Sequence, residues 1–185
     1  LFLKQKFGFT DDQIRPYTFN SAPFLADRNS VQQGYLSSEP YSIEKQAGFK
    51  PVVMLIADSG FAAYSTLIET SEKLAREKPD LVQRFVDASI KGCYAYHYGD
   101  PTAANALIKR DNPEMTDDLL SHGRAILNEY GILDSGDAKR VGIGAMTEAR
   151  WKEFFDSTVA AGVYPAGLDW RKAFTDRFVN KRAGM

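Results

Sequence analysis

Cysteine and histidine are scarce in this chain. Of its 185 residues, one is a cysteine, Cys93, and two are histidines, His97 and His122. A single cysteine excludes an internal disulfide and a zinc site built from cysteines. Two histidines are too few for most metal sites or histidine relays unless carboxylates supply the remaining groups. The composition therefore argues against metal and thiol chemistry.

Long apolar runs and an excess of one charge are also missing. No window approaches the roughly 18 consecutive apolar residues of a membrane-spanning helix. The formal net charge is −1, and acids and bases are mixed along the chain. This excludes a basic face for nucleic acid and a polybasic membrane anchor. Apolar residues still make up 44% of the chain, which is enough for a packed core in one large domain or two small ones.

The N-terminal stretch "LFLKQKFGF" lacks the features of a signal peptide. Lysines follow its apolar start, and it has neither a long apolar core nor a small-residue cleavage site. It begins without methionine, and its amphipathic pattern is already under way. We therefore expect the chain to start partway through a longer protein.

The first third of the chain alternates between strand and helix patterns. "RPYTFN" and "QQGYLSS" are typical of strands, and "SAPFLADRNSV" and "EPYSIEKQAG" of short helices. Residues 52–57 form a continuous apolar run, which is the pattern of a strand buried on both faces. This alternation predicts α/β layering.

After residue 60 the patterns are almost entirely helical. Five amphipathic helices are predicted, beginning in "AYSTLIET", "PDLVQRF", "DPTAANA", "MTDDLLS" and "MTEARWK", and "KRVGIG" is the one further strand candidate. The apolar faces of these helices have no obvious partner sheet in the chain. They pack on each other as a bundle, or they cover a sheet whose other strands lie in a missing N-terminal segment.

Small polar residues follow each of the three predicted strands. In open α/β sheets, ligands lie beyond the carboxyl ends of the strands, where helix N-termini present free N–H groups. Helix capping explains each of these residues equally well, including the glutamate of "SSEPY". The candidate ligand-binding residues are Asn20, Ser21, Ser37, Ser38, Glu39, Tyr41, Asp58 and Ser59.

The remaining motifs favour structural roles. "GIGAM" has neither a dinucleotide fingerprint nor a Walker lysine, so it predicts a turn. Cys93 lies in an apolar helix and is expected to be a buried small residue. His97 precedes a helix cap, and Tyr94, Tyr96 and Tyr98 are expected to pack in a core. No catalytic residue and no metal ligand is predicted.

Three stretches in order carry a family resemblance. "DRNSVQQGYLSSEPYSIEK", then "VVMLIADSGFAAYSTLIETSEKLAREKPDLVQRFVDASIKG", then "NPEM" resemble the thiamine-precursor/nitrate/taurine group of bacterial ABC-transporter substrate-binding proteins. The resemblance extends over nearly the whole chain. Its most specific parts are "EPY" after a strand and the "KPDLVQRFVDA" helix. The chain departs from the group at Cys93, where a tryptophan is frequent.

The resemblance implies an α/β fold of the periplasmic binding protein-like II type, with a ligand held between two lobes. The chain would cover only the C-terminal part of that fold. Residues 1–50 would finish the second lobe, 51–60 would be a crossover strand and hinge, and 61–185 would complete the first lobe as helices. The sheet of the first lobe would then be incomplete, with an unpaired edge at 52–57. A missing N-terminal segment or self-association is expected to complete it.

The implied function is solute capture for an ABC uptake transporter, without catalysis or cofactor. The implied partners are a small-molecule ligand and a membrane permease, and the implied location is the periplasm or the outer face of the cytoplasmic membrane through a lipid anchor. Burying an unpaired carboxylate costs several kcal/mol. Glu39 in the cleft would therefore favour a neutral or cationic nitrogen heterocycle, such as a thiamine-precursor pyrimidine.

Two other functions remain open at this point. Some relatives on this fold make the thiamine pyrimidine, and that branch relies on a histidine and a cysteine-rich segment. The one cysteine and two histidines of this sequence form no such cluster, which argues against this function. The other alternative is a non-enzymatic helical interaction module joined to a small α/β piece.

Overall fold

The computed structural model describes residues 2–61 and 63–185, and within these ranges the regular secondary structure is helical. Short 3₁₀ turns accompany the α-helices, one of them at Ala57–Ser59. The α-helices are α1 Phe2–Phe7, α2 Ala22–Ala26, α3 Glu39–Ala47, α4 Glu72–Glu77, α5 Pro79–Tyr98, α6 Thr102–Asp111, α7 Asp117–Glu129, α8 Ala138–Val141 and α9 Glu148–Ala160.

Local capping signals account for where the later helices begin. The Thr116 hydroxyl accepts the Leu119 N–H at 3.2 Å at the start of α7. Thr147 accepts the Arg150 N–H at 3.3 Å at the start of α9. Each threonine satisfies one of the amides that a first helical turn leaves without a partner. The helices predicted to begin in "MTDDLLS" and "MTEARWK" are confirmed as α7 and α9.

The strands predicted at 15–20, 32–38 and 52–57 are absent from the described residues. A strand is stable only when its backbone pairs with a neighbour, because unpaired N–H and C=O groups are costly to bury. Between Lys50 and Leu55 the backbone makes no hydrogen bond to another described group. Val52 and Met54 are 88% and 70% exposed. The α/β pattern of this stretch is therefore not realised as a sheet.

Two further predictions fail for local reasons. "KRVGIG" forms the short helix α8 and a turn, because Gly142 and Gly144 adopt positive φ angles of 97° and 85°. The helix predicted from "AYSTLIET" starts only at Glu72, after the Ser71 cap. The residues before it include β-branched Thr66, Ile68 and Thr70, which have low helix propensity.

The chain divides into two compact units. The first unit comprises the chain up to Leu55 together with Asn105–Tyr130, and the second comprises Ile56–Ala104 and Gly131–Met185.

No helix in the described ranges is long and apolar enough to cross a membrane.

The core of the second unit forms along one face of α5. Val82, Val86 and Ile90 recur every fourth residue and are buried together with Ile143 and Phe178. Burying such a side chain contributes about 1.5–3 kcal/mol. Tyr94 extends the cluster, and its hydroxyl accepts the Ile143 N–H at 3.2 Å. The packing predicted for Tyr94 is confirmed, whereas Tyr98, for which the same was predicted, is 52% exposed.

The first unit is held by contacts between α3 and α7. Ile43 and Leu120 are buried, and the Tyr41 ring stacks on the His122 ring at a centroid distance of 4.3 Å. Gly123 allows the turn before α3 to come close, since a Cβ there would lie 3.1 Å from the Ser37 carbonyl oxygen. These contacts position the turn that carries the predicted ligand residues.

Candidate functional site

Glu39 is fixed at the first turn of α3. One carboxylate oxygen accepts the Tyr35 N–H at 2.7 Å, and the other accepts the Tyr17 hydroxyl at 2.9 Å. Burial and the hydrogen bond to Glu39 raise the pKa of Tyr17. Gly34 is needed here because a Cβ would lie 2.8 Å from the Glu39 Cβ. Glu39 therefore holds the turn that precedes α3, whether or not it also meets a ligand.

The other polar residues of this region also make local contacts. Asn20 accepts the Ala22 N–H at 2.9 Å at the start of α2, and the Ser21 hydroxyl accepts a Gln32 side-chain N–H at 3.0 Å. Ser38 occupies the N-cap position of α3, but its side chain makes no capping hydrogen bond. These contacts tie the loops of the first unit together.

A small pocket of about 260 Å³ opens beside Tyr41. The Lys45 ammonium lies 5.3 Å from the centre of the Tyr41 ring, on the same helix. Acidic side chains line the α7 side of this pocket. The lining residues are Tyr41, Ser42, Lys45, Glu114, Thr116, Asp118 and Leu119.

A larger pocket of about 400 Å³ lies in the second unit, where the 57–61 turn meets the first turns of α9. Asp58 and Ser59 belong to this turn, and Gly60 ends it with a φ of 91°. Asp58 and Ser59 do not line the pocket, whereas their neighbours in the turn do. We name it the α9 pocket, and its lining residues are Ala57, Gly60, Phe61, Thr147, Ala149, Arg150 and Glu153.

Arg150 is the anchored cation of the α9 pocket. Its guanidinium donates to the Ala63 carbonyl at 2.9 Å and lies 4.6 Å from the centre of the Tyr64 ring. The Tyr64 hydroxyl in turn accepts the Thr147 N–H at 2.9 Å. Glu153, one turn further along α9, makes no hydrogen bond or ion pair with the described residues. The pocket thus combines a positioned cation with a carboxylate that has no partner among the described residues.

The predicted ligand residues fall into both units. Asn20, Ser21, Ser37, Ser38, Glu39 and Tyr41 lie in the first unit, and Asp58 and Ser59 lie in the second. Their role in binding stays a prediction. The sequence analysis missed Phe61, Arg150 and Glu153. The available signal was the three-residue spacing of Arg150 and Glu153 after the Thr147 cap, because residues three apart share a helix face.

Residues suited to metal or thiol chemistry are not gathered at either pocket. No group of three or more His, Cys, Asp or Glu side chains with metal-binding geometry occurs in 2–61 and 63–185. His97 is buried in α5. Cys93 is half-buried there, and burial raises the pKa of its thiol, which disfavours the reactive thiolate.

Comparison with known proteins gives two matches. The family model described as NMT1/THI5 like matches residues 2–104. The riboflavin-binding protein RibY of Chloroflexus aurantiacus is 31% identical over 176 residues, which cover 95% of this chain and 47% of that protein. No solved structure matches the chain.

The matches confirm the resemblance inferred from the sequence. The chain spans about half the length of the curated relative. The family indicates a periplasmic-binding-protein-like fold and a solute-binding role. The chain belongs to the NMT1/THI5-like family.

Proposed function

We propose that this chain is part of a solute-binding protein that captures a flat nitrogen heterocycle without transforming it. The observation that carries the proposal is the 31% identity to a riboflavin-binding protein over 95% of the chain. The family and the name of this relative favour binding over catalysis. The half-buried Cys93, with its raised thiol pKa, adds no argument for an enzyme.

The ligand class follows from what two candidate ligands share. The sequence favours a thiamine-precursor pyrimidine, and the curated relative binds riboflavin. A pyrimidine and a flavin ring are both flat, and both present ring nitrogens and polar groups at one edge. We place a flavin first because a relative that matches almost the whole chain supports it.

The transport role extends this proposal to the whole protein. The proposed protein delivers its ligand to an ABC-transporter permease, from the periplasm or from a lipid anchor on the outer face of the cytoplasmic membrane. The two-lobed arrangement belongs to the same proposal, with 1–50 in one lobe, 51–60 as the crossover and 61–185 completing the other lobe. Lobe closure would then be a population shift that the ligand drives.

A thermal-shift screen tests the proposal. The full chain is heated with riboflavin, a hydroxymethylpyrimidine, thiamine, taurine and nitrate in separate samples. A ligand that binds only the folded chain stabilises it by about 2.7 kcal/mol at a hundredfold excess over Kd. We expect riboflavin or the pyrimidine to raise Tm, and taurine and nitrate to leave it unchanged. An unchanged Tm with both heterocycles would refute the proposed function.

A further inference from the structure

We propose that the α9 pocket binds the imide edge of a flat heterocycle, with Arg150 and Glu153 recognising a ring carbonyl and the adjacent ring N–H. This inference rests on the proposed function and names the part of the ligand that one site would hold. Neither the family match nor the relative assigns these residues a role.

The size and walls of the pocket suit a ring. Its volume is about 400 Å³, and most of its lining residues are exposed, so it is an open groove that one edge of a ring can enter. Ala57 and Ala149 leave space, and Phe61 supplies an aromatic wall. The Phe61 ring is supported by Phe154 in an edge-to-face contact, with centroids 6.1 Å apart. An aromatic wall held in this way favours a flat ligand.

Arg150 and Glu153 place a hydrogen-bond donor next to an acceptor. They are three residues apart on α9, so they share one face of the helix, and both line the pocket. Arg150 is positioned by the Ala63 carbonyl and the Tyr64 ring. The Glu153 carboxylate is not engaged by Arg150 or by any other described residue. An arginine donates only, and a carboxylate accepts only.

This pair selects ligands by their hydrogen-bonding pattern. An imide edge has a carbonyl oxygen that accepts from the guanidinium and a neighbouring ring N–H that donates to the carboxylate. The flavin ring system and pyrimidinones carry this edge. Nitrate has no N–H to offer, and Glu153 repels its negative charge. The pocket therefore favours an uncharged imide over an oxyanion.

A fluorescence titration of the full chain with riboflavin tests the proposal. Glu153→Ala removes both carboxylate oxygens at an exposed position, so the fold is expected to persist. We expect Kd to rise about tenfold to a hundredfold, the usual effect of losing a hydrogen bond to a charged group. The matched control is Asp156→Ala on the same helix. That acid pairs with Lys152 rather than lining the pocket, and Kd is expected to stay unchanged.

A modified ligand keeps the test independent of folding. N3-methylriboflavin lacks the imide N–H, so it is expected to bind the unmodified chain as weakly as riboflavin binds Glu153→Ala. It should lose nothing further in that variant, because the two changes remove the same hydrogen bond. Equal binding of riboflavin by the chain and by Glu153→Ala would overturn the site and leave the proposed function standing. No riboflavin binding together with no binding of the pyrimidine would overturn both.

Discussion

At the residue scale, the local hydrogen bonds of Glu39 decide how its sequence pattern is interpreted. The sequence left open whether this acid meets a ligand or begins a helix. Both carboxylate oxygens accept internal donors, one from Tyr17 and one from Tyr35. The residues that donate are 22 and four positions away. Sequence spacing alone does not reveal the first of these partners, because it depends on how two loops meet.

Glu39→Gln is expected to lower the free energy of unfolding by about 1–3 kcal/mol, the cost of leaving a hydrogen-bonding group without its partner. The amide retains one acceptor, and its NH₂ group faces a donor. Urea unfolding followed by circular dichroism measures the change. The control is Glu44→Gln in the same helix, whose side chain makes no hydrogen bond with the described residues. Equal stability of the two variants would show that the Glu39 contacts are unimportant.

Tyr98 gives the molecule an expected response to alkaline pH. Its hydroxyl donates to Asp134 at 2.5 Å, and this hydrogen bond, with burial and the charge of Asp134, raises the pKa of Tyr98 to about 12. The folded pKa lies above the unfolded value of about 10. The stabilisation is therefore complete below pH 10 and is lost as the pH rises from about 10 to about 12.

We expect the urea midpoint to fall more between pH 9 and pH 11.5 in the unmodified chain than in Tyr98→Phe, which has no hydroxyl to ionise. Tyr164→Phe is the control, since the Tyr164 hydroxyl makes no hydrogen bond with the described residues and the side chain lies exposed in the same unit. An identical pH response in the unmodified chain and Tyr98→Phe would count against the role of Asp134.

At the element scale, helices were predictable and strands were not. α5 follows from Pro79 in its first turn and from the stripe of Val82, Val86 and Ile90, all of which are local signals. The run at 52–57 has an equally clear strand pattern, but a strand depends on a distant pairing partner. The α9 pocket was missed for a related reason. Arg150 approaches the 63–64 stretch across more than 80 residues of sequence.

The Thr147 cap is expected to stabilise α9 and with it one side of the α9 pocket. Thr147→Ala removes the acceptor of the Arg150 N–H and is expected to lower the free energy of unfolding by about 0.5–2 kcal/mol. Thr147→Ser keeps the hydroxyl and serves as the control, with a change near zero. Urea unfolding of the two variants measures the difference. A serine variant as unstable as the alanine variant would attribute the loss to the methyl group and not to the cap.

At the scale of the whole molecule, the exposed stretch 50–55 carries a consequence for assembly. Its backbone has no hydrogen-bond partner in the described part of the chain, and Val52, Val53 and Met54 are exposed. Unpaired extended segments with apolar side chains promote strand pairing between chains. A strand partner is therefore expected, either from another copy of the chain or from an associated N-terminal segment of a longer protein.

Light scattering with intact-mass spectrometry is expected to show an assembly larger than 20.6 kDa, or a second peptide that copurifies. Val52→Lys with Met54→Lys should reduce the association, because charges on a strand edge disfavour pairing. Leu107→Lys, at an exposed position of α6, is the control and should leave association unchanged. A monomer with no second peptide at every concentration would contradict the expected pairing.

The central claim is that the protein holds a flat nitrogen heterocycle and releases it unchanged. Native mass spectrometry of the full chain with riboflavin, and separately with the pyrimidine, tests this most directly. We expect a complex of one heterocycle per chain and a recovered ligand of unaltered mass. A recovered ligand of altered mass, or no complex with either heterocycle, would contradict it.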